Sequence, residues 1–181
     1  MKSKSGFTIV ELAVVIAVIA ILALVSVVSY NGIQTRARNT QLLSAFDMYE
    51  KALRQYKTFN GSYPLPTEWA LGEAYACLGD FKGKAPLRDD MCFLSEGTEL
   101  GRKSASINTA LKTIVDATPT VDYQVTFTNT TAVGGIIYLP LGNGAVILAY
   151  YIKDNQECGR GTKTNTTEFG INYTSCAIML S

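Results

Sequence analysis

The chain has 181 residues, 48% of them hydrophobic and 17% charged, with a formal net charge of +1 from 16 Lys+Arg against 15 Asp+Glu. That size suits one compact domain plus an appendage. The low charge content excludes a charge-rich disordered protein, and the near-neutral balance argues against a nucleic-acid binder. There is no histidine, which excludes Ser-His-Asp and Cys-His catalysis and His-ligated zinc. The apolar residues are concentrated near the N-terminus. Leu12 to Val28 is interrupted only by Ser26, and from Phe7 to Val28 the single charge is Glu11. As a helix that stretch is about 33 Å long, against a bilayer core of ~30 Å, so the pattern predicts one membrane span over residues 7–30. A removable secretory signal, with Lys2 and Lys4 as its basic start and Val27-Val28-Ser29 as its cleavage site, fits less well. The apolar block is longer than a signal core and carries an acid at its entrance. A plain single-span anchor explains the length but not the position of Glu11.

Lys4-Ser5-Gly6-Phe7-Thr8-Ile9-Val10-Glu11-Leu12 resembles the processing site of the type IV prepilins. The resemblance implies a leader over residues 1–6, cleavage by a prepilin peptidase between Gly6 and Phe7, and N-methylation of Phe7. Glu11 is then the fifth residue of the mature chain, as the family pattern requires. A carboxylate at the end of a membrane helix needs a partner, and cleavage creates one, the new amine of Phe7. In a stack of staggered helices Glu11 of one subunit would meet the amine of its neighbour and set the axial register. The competing reading of Glu11 is a carboxylate favourably placed at a helix N-terminus. Ala13, Ala17, Ala20 and Ala23 form a small-residue stripe suited to close helix packing. Many pilins carry a Pro about twenty residues into the mature chain; here Val28-Ser29-Tyr30-Asn31-Gly32 stands there, with Asn31-Gly32 as the weak point.

The helical pattern continues over residues 31–59. Leu42, Phe46, Tyr49, Leu53 and Tyr56 make one amphipathic stripe, interleaved with Arg36, Arg38, Lys51, Arg54 and Lys57 on a solvated face, with Glu50 and Arg54 as a helix-supporting pair. Asn60-Gly61-Ser62-Tyr63-Pro64 supplies the stop. It also resembles the segment that closes the pilin spine. Residues 64–101 read as loop-rich, with short helical stretches around 67–78. Arg102 to Asp116 reads as a short helix. Val121, Tyr123, Val125 and Phe127 alternate as in a half-buried strand. Gly135–Leu141 and Ala145–Lys153 are strands joined by the turn Gly142-Asn143-Gly144, and Phe169–Leu180 forms one more. The expected fold is α+β: a long N-terminal helical spine with a head, residues 60–181, of a three- or four-stranded antiparallel sheet laid on the helix.

Four cysteines without metal spacing allow several disulfide connectivities. The local pairs Cys77–Cys92 and Cys158–Cys176 are the ones chosen, in an oxidising compartment. The resemblance implies that the loop closed by the second pair carries surface contacts. Asn60, Asn129, Asn165 and Asn172 each begin a glycosylation sequon, which carries little weight in a chain rich in Asn and Thr. Asp89-Asp90 with Glu96 does not match an EF-hand. The tyrosines suit packing better than base stacking.

The function expected from these features is a structural subunit of a type IV pilus, not an enzyme, with no cofactor and no metal. It would be anchored in the cytoplasmic membrane by a single pass with the N-terminus inside. It would then polymerise through its N-terminal helix into an extracellular filament for adhesion, twitching motility or DNA uptake. The implied partners are further copies of the chain, the prepilin peptidase and assembly machinery, the membrane before assembly, and a host surface or DNA. The alternatives are a pseudopilin of a type II secretion or DNA-uptake machine, or a membrane-tethered binding module.

Overall fold

The computed structural model describes residues 8–181, leaving aside the side chains of residues 26–32, 165 and 168. The leader, residues 1–6, and the Gly6–Phe7 junction therefore lie outside the described residues. Helix α1 runs unbroken over Ile9–Asn60. The chain divides after Arg38 into two compact units, residues 1–38 and 39–181.

In the first unit every described side chain from Thr8 to Val25 is exposed. Among the described residues no helix is long and apolar enough to cross a membrane. This corrects the expected membrane span over residues 7–30. The single-pass placement in the cytoplasmic membrane falls with it.

The second unit begins with the rest of α1. Leu42, Phe46, Tyr49 and Leu53 are fully buried and form the stripe that meets the sheet. Side chains three and four residues apart share one helix face, which is why this spacing buries as a unit. Gly61 ends the helix in the left-handed region, at φ 78°, with its amide donating to the Lys57 carbonyl. Beyond it come β1 (Tyr75–Leu78), β2 (Asp80–Phe81), β3 (Met91–Ser95), β4 (Thr98–Lys103) and helix α2 (Ala105–Lys112). Then follow β5 (Thr120–Val121), β6 (Gln124–Thr128), β7 (Thr131–Gly134), β8 (Ile136–Pro140), β9 (Val146–Lys153), β10 (Thr162–Glu168) and β11 (Ile171–Leu180).

Among the described residues the main sheet has nine strands in the order β10-β11-β9-β8-β1-β4-β3-β7-β6, and β2 and β5 pair separately. The sheet is mixed, because β1 pairs with β4 in parallel and with β8 antiparallel. It curls until β6 meets β9, giving a half-barrel. One face carries Ala76, Leu78, Ile136, Tyr138, Leu148 and Tyr150 against α1. The other face encloses a second core of Cys77, Ile137, Val133, Val125, Met91 and Leu94.

The expected three- or four-stranded antiparallel head is thus corrected to a nine-stranded half-barrel. The cause is legible in burial. Strand β7 is buried on every residue and β1 on all but Tyr75. A strand covered on both faces loses the alternation that marks a half-buried one. For that reason residues 67–78, read as helical, contain no helix and end in β1. Further tight turns at Gly79 (φ 74°), Asp90 (φ 69°) and Gly97 (φ 81°) cut the 75–103 stretch into four short strands.

Candidate functional site

The helix start has a closed geometry of its own. The Thr8 amide and hydroxyl both donate to Glu11 Oε2 at 2.8 Å, and the Glu11 amide donates back to Thr8 Oγ1 at 3.2 Å. This is a capping box: a hydroxyl residue and the acid three positions later satisfy each other's backbone. The backbone and side-chain donations from Thr8 hold the Glu11 carboxyl below its ordinary range. Thr8 was not singled out from the sequence, although the Thr-x-x-Glu spacing before an apolar run is the signal for it. Ala13, Ala17, Ala20 and Ala23 all lie on α1 with exposed side chains. Gly6 and Phe7, the expected cleavage and methylation residues, are outside the described residues.

The cysteines are joined as Cys77–Cys92 and Cys158–Cys176, both with Cα atoms 5.7 Å apart. The first lies inside the second core, with Cys77 at 1% and Cys92 at 0% exposure. The second fastens residues 154–161 to β11 beside the α1 stripe. Cys176 is fully buried there and Cys158 only partly. The same loop is tied to α1 by polar contacts. Asn39 Nδ2 donates to Gln156 Oε1 at 2.7 Å. Arg160 reaches Glu50 at 3.0 Å and Asp47 at 3.6 Å. Glu50, buried on the helix, also holds Arg54 at 2.9 Å. Its charge is compensated from two sides, which an acid facing the core requires.

Glu68 closes a second cap. Desolvation pushes its carboxyl up, but donations from the Ser106 amide and hydroxyl, its own backbone and the Ser104 hydroxyl outweigh this and hold it down at about 2. It sits at the start of α2, whose Ser104 N-cap takes the Ile107 amide. An acid at a helix N-terminus meets unpaired amides and a favourable dipole. Behind it buried Asn108 is satisfied: Gly79 N donates to its Oδ1 at 2.9 Å, and its Nδ2 donates to Ser104 O at 2.8 Å.

A groove of about 570 Å³ runs between residues 71–75 and the end of β8. Leu71, Tyr75, Leu100, Leu139 and Leu141 line it, and Glu73 is its one charged residue. That carboxylate accepts the Ala70 amide at 3.0 Å. No group of three or more His, Cys, Asp or Glu among the described residues is arranged to hold a metal ion.

A family model described as a prokaryotic N-terminal methylation motif matches residues 1–27. The chain therefore carries a prepilin-like methylation and cleavage motif at its N-terminus. No curated protein and no solved structure matches the chain.

The match ends before the half-barrel begins, and the domain that follows overturns the expected function. A nine-stranded half-barrel, with no helix among the described residues long and apolar enough to cross a membrane, is inconsistent with the expected membrane-anchored subunit that polymerises into a type IV pilus. The filament, transmembrane and motility readings fall with it, while the methylation motif and the two disulfides stand.

Proposed function

We propose that this chain is processed by a prepilin peptidase at Gly6–Phe7, with methylation of the new Phe7 amine, and that its α+β domain then serves as a non-enzymatic binding domain. The observation that carries this reading is the methylation motif over residues 1–27. The disulfides support a working place where thiols are oxidised. The groove supports binding rather than chemistry. Its lining is mainly leucine, tyrosine and proline, and its one carboxylate already holds a backbone amide.

Co-expression of the full chain with a prepilin peptidase tests the reading. Mass spectrometry should find a chain that begins at Phe7 and is one methyl group heavier than the bare sequence. A chain that still begins at Met1 in the presence of an active peptidase overturns it.

A further inference from the structure

The two disulfides differ in the access they offer to a reductant. Cys77, Cys92 and Cys176 are at 1%, 0% and 0% exposure, and Cys158 alone is partly open. Thiol–disulfide exchange begins with a thiolate reaching one sulfur along the S–S axis, so access decides which bond yields first.

The Cys158–Cys176 bond closes a loop that lies on α1 and β11. Residues 154–161 form no helix or strand. Besides the disulfide they are held by polar contacts, some of them to buried groups: Asn39 to Gln156, Arg160 to Asp47 and to buried Glu50, the buried Thr174 hydroxyl to the Asp154 carbonyl at 3.0 Å, the Asp154 amide to the Asn172 carbonyl and the Gln156 amide to Thr174 Oγ1. The loop lies so close to the helix that a Cβ on Gly159 would stand 2.7 Å from a Leu43 methyl. The half-exposed Arg160–Asp47 pair and single hydrogen bonds each contribute little. The covalent link is what closes the loop over this part of α1. Cys77–Cys92, by contrast, is enclosed by Met91, Leu94 and Ile137 in the second core, and opening it requires disrupting that core.

We propose that Cys158–Cys176 is a redox latch. A dithiol reductant opens it while Cys77–Cys92 stays closed, and residues 154–161 then lift from α1 and uncover the helix around Leu43. One thiolate of the dithiol attacks Cys158 Sγ, and Cys176 leaves as a thiolate and takes up a proton. The second thiol of the reductant closes on the mixed disulfide and releases Cys158 as a thiol. The reductant becomes the disulfide, so two electrons pass to the protein and both cysteines end protonated.

Native full-length protein is incubated with increasing dithiothreitol, alkylated and peptide-mapped, with amide exchange followed in parallel. Cys158 and Cys176 should become alkylated at least ~10-fold faster than Cys77 and Cys92, as their difference in access requires. Exchange protection should fall over residues 154–161 and 39–47, remain over β1 and β4, and return on reoxidation. A Cys158→Ser/Cys176→Ser variant should show the same loosening without reductant. Simultaneous opening of both bonds, earlier opening of Cys77–Cys92, or unchanged exchange over 154–161 after reduction overturns the proposal. The wild-type measurement decides the matter even if the double variant does not fold.

Discussion

Replacement of Tyr138 by Phe tests how the segment after α1 is held to the sheet. Tyr138 stands on β8, is fully buried, and its hydroxyl donates to the Pro64 carbonyl at 2.8 Å. Burial, with a smaller contribution from the neighbouring Tyr63 and Tyr56, raises the phenol pKa far above its ordinary value, so it donates at every accessible pH. In the Phe variant the ring still fills its site, and only the hydrogen bond goes. The net value of such a bond is about 1 kcal/mol, and leaving the buried Pro64 carbonyl without its donor adds a desolvation cost. The expected loss is about 1–2.5 kcal/mol, with Tyr138→Ala costing about 3–5 kcal/mol because it also opens a cavity. Urea unfolding followed by the fluorescence of Trp69, the single tryptophan, reads the midpoint. The slope should be unchanged, because the same surface is exposed on unfolding. A Phe variant within about 0.3 kcal/mol of wild type would show that the Pro64 carbonyl finds water instead, and would refute the tie.

Glu68 should give the acid side of the stability curve its slope. Its folded pKa of about 2 lies below the ordinary 4.5, so its stabilising contribution is complete above about pH 4.5 and is lost as pH falls towards 2. Glu68→Gln should flatten urea midpoints across that window, and an unaltered slope would remove Glu68 as the cause. Gly79→Ala should destabilise by about 2–3 kcal/mol in thermal unfolding. Its φ is 74°, and a Cβ would lie 2.2 Å from the Tyr49 hydroxyl and 2.6 Å from the Pro119 carbonyl. Gly97→Ala, at φ 81° with nothing within 4 Å, should cost only the backbone strain of about 1 kcal/mol. Equal losses for the two glycines would refute the crowding argument at Gly79.

Much of α1 and of strands β8, β9 and β11 was legible, α1 and β9 because they keep a period, whereas β10 was not read from the sequence. The α1 stripe of Leu42, Phe46, Tyr49 and Leu53 repeats at helical spacing and is buried on that face. In β9, Val146, Leu148, Tyr150 and Ile152 alternate in the sequence and are buried as a set. The processing motif was legible for a different reason: it is a local string that an enzyme reads, and it needs no fold.

What the tertiary structure alone decided lies where burial is two-sided or partners are distant. Strand β3 and most of β4 fall in the stretch that reads as loop-rich, β1 falls in the part of it that reads as helical, and β7 has no reading in the sequence; each is short, and β1 and β7 are covered on both faces. Nothing in their local sequence announces the parallel pairing of β1 with β4, with β2 and β3 between them in the chain. The Asn39–Gln156 and Glu50–Arg160 contacts join residues more than a hundred positions apart. No window of sequence holds both partners, so only closure of the half-barrel brings them together. The local code set each residue's preference for helix, strand or turn. The three-dimensional fold chose which of those preferences met a neighbour, because burial and hydrogen bonding depend on what stands opposite, not on what stands next in the chain.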